Sequence, residues 1–205
     1  MKERDIIRAS KVLSAIFNPF YLPVVGLVLL FMFSYLRQMP TRYKLQVVLM
    51  VYLCTALLPT LLIRFYRRYQ GWSRHEIGRQ ERRVIPYIIA IACYFLCYYL
   101  MNRVHIPHFM SSIVVAALTI QVVCALINMF WKISTHTAAI GGVTGALLIF
   151  SFFFRFNPVW WLCLLTIVGG FVGTSRMILR QHTLAQVVCG FLLGAILAFY
   201  AILKF

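Results

Sequence analysis

Three short polar clusters interrupt an otherwise apolar chain, and their residue types are those of an anion site. One holds Ser175, Arg176 and His182, with Gln186 four residues beyond the histidine. A second holds Lys132, Ser134 and His136, and an arginine-rich stretch before Pro86 contains Arg79, Arg82 and Arg83. Guanidinium groups bind phosphate oxygens in forked, charge-assisted pairs. A serine hydroxyl and the amides of a helix N-terminus add further donors. Histidine is a competent nucleophile and a general acid near neutral pH. Two histidines with cationic donors therefore suffice for phosphoryl transfer through a phosphohistidine, with neither metal nor organic cofactor. Residues four apart share a helix face, which places Gln186 against the His182 ring.

The elements that must position these residues are membrane helices. The chain has 205 residues, of which 62% are hydrophobic and 12% charged, with a mean hydropathy of +0.87. That composition describes an integral membrane protein, and the length suits a single domain over residues 1–205. The net charge is +16, carried in the breaks between apolar runs. Such placement fits lipid headgroups or a phosphorylated substrate; with no soluble domain to carry the charge, no nucleic-acid partner is expected. The four carboxylates, Glu3, Asp5, Glu76 and Glu81, all lie outside the apolar runs. Mg²⁺ and Ca²⁺ sites need several oxygen ligands, so a metal-dependent prenyl or headgroup transferase is disfavoured, and no metal site is expected. The six cysteines lie in apolar runs without a C-x-x-C pair and read as small packing residues.

Seven spans are expected, at about 12–36, 45–65, 86–101, 109–131, 137–154, 159–174 and 183–203, each roughly long enough to cross the hydrocarbon. The first is too long for a signal-peptide core and is expected to be retained. Asn18, Pro19 and Pro23 predict a kink or a broken start in it, because proline lacks a backbone donor and clashes with the preceding turn. Alternation of the spans puts the three polar clusters and the N-terminus at one membrane face. The fold class is thus an all-α polytopic transmembrane bundle whose three polar motifs converge. Gly141 and Gly145, Gly169 and Gly173, and Gly190 and Gly194 form three G-x-x-x-G pairs flanking the clusters; small residues at this spacing let membrane helices approach closely. His75, His105 and His108 read as interfacial polar residues, Arg64, Arg67, Arg68 and Arg74 as topology signals, and Trp131, Trp160 and Trp161 as belt residues.

Ser175-Arg176-x5-His182 has the spacing of the S-R-x5-H-x3-D motif of the type 2 phosphatidic acid phosphatase superfamily. These are integral membrane, metal-independent lipid phosphatases related to vanadium haloperoxidases. Ser134-Thr135-His136 resembles the family's P-S-G-H motif, and Arg79 to Pro86 loosely resembles its K-x6-R-P motif; together the resemblance covers roughly residues 79–190. It implies that His182 attacks phosphorus and that His136 protonates the leaving oxygen and later activates water. It also implies that Arg176, with Arg82 or Arg83, clamps the equatorial oxygens, that Ser134 hydrogen-bonds a phosphate oxygen, and that Ser175 orders the turn around Arg176. The chain departs from the pattern at Gln186, where the family has Asp. A glutamine carbonyl can accept from Nδ1–H and fix the tautomer, but carries no charge to stabilise an imidazolium. Ile133 and Thr135 replace the Pro and Gly of the second motif, and Ile85 replaces the Arg before Pro86. Lys132 is placed to supply the ammonium missing from the first motif.

The expected function is hydrolysis of a lipid phosphate ester or anhydride, with phosphatidic acid, phosphatidylglycerol phosphate, a polyprenyl diphosphate or a phosphorylated lipid A precursor as candidate substrates. The alternative is a weakened anionic-lipid binding or transport protein on the same scaffold. On the expected topology fourteen Lys and Arg residues share the site face and six the other. The positive-inside rule then places the site at the cytosolic face of a cell (inner) membrane.

Overall fold

The computed structural model describes residues 3–33, 35–70 and 84–205. Among them are eight α-helices and a short 3₁₀ turn at Tyr35–Gln38, with no strand. Helices α1 and α2 span Glu3–Ile16 and Leu22–Phe33. α3 runs Thr41–Tyr69 through an internal π-helical turn at Leu53–Leu57. α4 covers Val84–Arg103, α5 His108–Phe130, α6 Thr135–Phe154, α7 Val159–Ile178 and α8 Leu184–Lys204. The six helices from α3 to α8 are long and apolar enough to cross a membrane. Their outward rows of large apolar side chains, such as Phe65, Phe130, Phe152 and Trp160, suit a hydrocarbon solvent.

The first of the seven expected spans is not a continuous helix. The chain breaks between Ile16 and Leu22, at the predicted Asn18-Pro19 step. Asn18 Oδ1 accepts from the Phe20 amide at 3.2 Å and the Asn18 carbonyl from the Tyr21 amide at 3.0 Å, a local turn that competes with helix. Pro23 falls in the first turn of α2, where a missing donor costs nothing. α2 has 12 residues, roughly 18 Å of helix, well short of a hydrocarbon core of about 30 Å. The π turn in α3 has a similar origin. Pro59 cannot donate to the carbonyl four residues back, and its ring crowds it. The turn frees Thr55, whose hydroxyl donates to Val51 O at 2.8 Å and approaches Phe20 O at 3.4 Å. This ties the broken segment before α2 to the middle of α3.

The closest helix pair is α6 with α8, which run parallel. Gly141 and Gly145 on α6 face the backbone of Phe191 and Ala195, while Gly190 and Gly194 on α8 face that of Ser134 and Ala138. Any Cβ at Gly141, Gly145 or Gly194 would run into a carbonyl of the other helix, so two of the three glycine pairs form this one interface from opposite sides. The third pair lets α7 close on α8: Gly173 abuts Val187 and Gly169 abuts Phe191. The buried core continues through α5 to Met101, Met110 and Leu36. Of the cysteines, Cys54, Cys93, Cys97 and Cys124 are buried between helices, Cys163 and Cys189 face outward, and all six are free thiols.

Candidate active site

The turn between α7 and α8 sets the third cluster. α7 ends in a Schellman motif: the Gln181 amide donates to Arg176 O at 3.0 Å and the Arg180 amide to Met177 O at 2.8 Å, with Arg180 left-handed at φ 50°. Arg176 is thereby held on the last helical turn while the chain reverses to present His182. α8 then starts with a capping box. Thr183 Oγ1 accepts from the Gln186 amide at 3.5 Å, and Gln186 Oε1 accepts from the Thr183 amide at 3.2 Å.

The same Gln186 Oε1 lies 3.1 Å from His182 Nδ1. A backbone N–H cannot bond to an amide NH₂, so the Thr183 contact fixes which end of the glutamine faces inward. Oε1 only accepts, so Nδ1 carries a proton, and in the neutral ring the lone pair lies on Nε2. Gln186 thus contacts the His182 ring with the same oxygen that caps the helix.

The second cluster is joined to the third through the backbone, since the Ser134 amide donates to Gln186 O at 3.4 Å. Ser134 is the extended N-cap residue of α6, and its carbonyl accepts from the Ala138 amide at 3.0 Å and the Thr137 hydroxyl at 3.1 Å. Its own hydroxyl is fully buried without a hydrogen-bond partner, a state that calls for a ligand or a water. The close approach depends on Gly190, where a Cβ would come within 2.7 Å of both Ser134 O and Thr137 Oγ1. His136 is the second residue of α6 and Lys132 precedes the helix; both are half-buried.

Arg176 is only 9% exposed and His182 only 7%. Burying a guanidinium at a membrane helix end is costly unless partners offset its lost hydration. One partner comes from α1, which packs against α7: Arg176 Nη1 donates to Ser14 Oγ at 2.6 Å. Ser14 escaped the sequence reading. The available signal was the amphipathic pattern of Glu3–Ile16, in which Ser10 and Ser14 share a face and are both buried. The T-x-x-Q spacing of Thr183 and Gln186 likewise announces a capping box. The Ser175 hydroxyl donates back to Phe171 O at 2.9 Å within its own helix, so it takes part in the turn before Arg176.

Arg79, Arg82 and Arg83, together with His75, lie outside the described residues. His105 is the left-handed residue that ends α4, at φ 55°, and the His108 ring lies 6.0 Å from that of Phe205; both belong to the opposite end of the bundle. Among the described residues no three His, Cys, Asp or Glu side chains gather in a way that could hold a metal ion. What the structure brings together is a buried arginine, a tautomer-fixed histidine and, through one backbone bond, the loop that carries a second histidine. Neither family models, characterised proteins nor solved structures yield a match to this chain.

Proposed function

We propose that the chain is a membrane lipid phosphatase or diphosphatase acting through a phosphohistidine at His182. The observation that carries this reading is the bifurcated contact of Gln186 Oε1 with the Thr183 amide and His182 Nδ1. In the neutral ring it leaves the lone pair on Nε2, one turn of chain after the buried Arg176, as a nucleophilic histidine needs. In the proposed reaction Nε2 attacks phosphorus as the P–O bond to the lipid breaks. His136 protonates the departing oxygen, then takes a proton from the water that cleaves the P–N bond. Arg176, with Arg82 or Arg83, balances charge on the equatorial oxygens as the transition state forms, and Lys132 adds an ammonium. Donation to a phosphate oxygen would satisfy the Ser134 hydroxyl, though it is enclosed as the structure stands and must be uncovered first. Joining of the two histidine clusters favours an enzyme over a pure anionic-lipid carrier, because binding alone needs only cations.

The test is phosphate release by the full chain in detergent, with EDTA present, from a panel of lipid phosphates and diphosphates. Release is expected to survive EDTA and to vanish in His182→Ala, and ³²P label is expected to stay on the wild-type chain in an acid-labile form. Folded protein that binds lipid phosphates without releasing phosphate would instead favour the carrier. Lys132→Ala is expected to weaken phosphate affinity, and unchanged affinity would remove Lys132 from the site.

A further inference from the structure

Helix α1 presents three different faces. Ser10 and Ser14, four residues apart, are buried on the side that meets α7. Arg4, Arg8 and Lys11 share a second side and are all exposed. Beside that stripe Val12 and Ile16 form a third, apolar row, 57% and 59% exposed. The two acidic residues of α1, Glu3 and Asp5, are confined to its first turn, where negative charge suits the helix dipole. The basic stripe thus runs about two turns with no carboxylate among its members.

A helix that sets cations beside exposed apolar side chains suits a membrane surface, with the cations among headgroups and the apolar row at the acyl boundary. α1 is tied to the bundle from its C-terminal end. The Asn18 turn follows it, and α2 then enters the apolar bundle, where Leu22 is buried with Ile140, Val143 and Val172. Leu13 and Phe17 pack against the same cluster, while Arg4, Arg8 and Lys11 stand outside it. On the opposite face Ser14 Oγ accepts from Arg176 Nη1 at 2.6 Å. Any force that presses α1 onto the bundle therefore also holds that contact.

We propose that the basic stripe of α1 docks on the anionic headgroups of the surrounding leaflet, and that this docking keeps Ser14 seated on Arg176. A headgroup phosphate offers each guanidinium a charge-assisted pair, and each cation near an anionic surface shifts the docking equilibrium about fivefold. A zwitterionic headgroup carries its own cation, so it should hold α1 more weakly. The docking lipid is not the substrate. It is a bulk phosphodiester lipid such as phosphatidylglycerol, bound outside the site. The docking does not depend on what the site does; its effect on turnover rests on the lipid-phosphatase reading.

The full chain is placed in nanodiscs of phosphatidylcholine, alone or mixed with phosphatidylglycerol, and hydrogen exchange of the α1 amides is read by mass spectrometry. Phosphatidylglycerol should slow that exchange about tenfold, and concentrated salt should erase the difference. Arg4→Gln, Arg8→Gln and Lys11→Gln combined should abolish the effect, while Arg4→Lys with Arg8→Lys should retain most of it. Equal exchange in the two lipids overturns the docking and turns the stripe toward an acidic protein partner. A lipid effect that survives the triple glutamine variant also overturns it, as does equal protection by inorganic phosphate added to phosphatidylcholine nanodiscs. In the same nanodiscs phosphate release should rise several-fold with phosphatidylglycerol in the unaltered chain, but not in the triple variant or in Ser14→Ala. A rise that survives Ser14→Ala overturns the link to Arg176. Failure of the phosphatase reading looks different: slowed exchange without phosphate release sinks the enzyme and upholds the docking, whereas release with equal exchange does the reverse.

Discussion

At the scale of single residues, Gln186 carries two tasks. Its side chain closes the cap of α8 and holds the His182 ring with one oxygen. Gln186→Ala should therefore lose both at once. Loss of a cap costs about 0.5–2 kcal/mol, visible as a lower melting temperature in detergent, and activity should fall at least tenfold. Gln186→Glu keeps the cap and places a full negative charge on the ring. That charge favours the imidazolium, so the acid limb of the pH–rate profile should move to higher pH; an unmoved limb would mean that His182 is not the titrating nucleophile. Ser14 acts through Arg176 and is a positioning residue. Ser14→Ala should lower kcat about tenfold with little change in KM, the signature of a contact felt mainly in the transition state. Ser14→Thr, which retains the hydroxyl, should recover most of the loss; equal defects in both variants would point to packing of α1 alone.

At the scale of elements, the pairing of α6 with α8 decides whether the site exists. Each helix begins at the site and presents two glycines to the other's backbone. Gly194→Ala would drive a methyl into the Ala138 carbonyl. Overpacking of this kind costs about 1–3 kcal/mol, and here it should also part Ser134 from Gln186. Gly170→Ala on α7 is the control, since open space surrounds that position and alanine is the better helix former. A thermal melt in detergent should show a clear drop for the first variant and none for the second. Equal behaviour would mean that the glycines are ordinary residues of membrane helices. The left-handed helix ends at His105, Arg155 and Arg180 show the same economy: tight reversals built without glycine, the last of them delivering His182.

At the scale of the whole molecule, dividing the first expected span leaves the expected path of the chain between the two ends of the bundle intact. α1 stays at the site end, where it meets Arg176, and α2 with its 3₁₀ turn carries the chain toward the opposite end, where Lys44 Nζ donates to Arg37 O at 3.0 Å. α8 starts at the site and ends at Lys204 on the far side. With the positive-inside rule applied to this path, a reporter fused after Phe205 should read as non-cytosolic and one fused before α1 as cytosolic. A cytosolic signal from the C-terminal fusion would invert the orientation without touching the fold.

Hydropathy by itself determined the helical class, the boundaries of the six long spans to within a few residues and the break at Asn18-Pro19, because a bilayer leaves helix as the only local solution and proline ends it. Spacing also put Gln186 near His182, although His182 precedes the helix and the contact comes from the capping turn at Thr183 and not from a shared helix face. The partnership of Ser14 with Arg176 and the backbone bond from Ser134 to Gln186 were decided only by tertiary structure. Each joins segments distant in sequence, and nothing periodic in either segment encodes the other. Local rules fix where a helix starts and which face is apolar; which faces meet depends on packing glycines of one helix against the carbonyls of another, and that is settled in three dimensions.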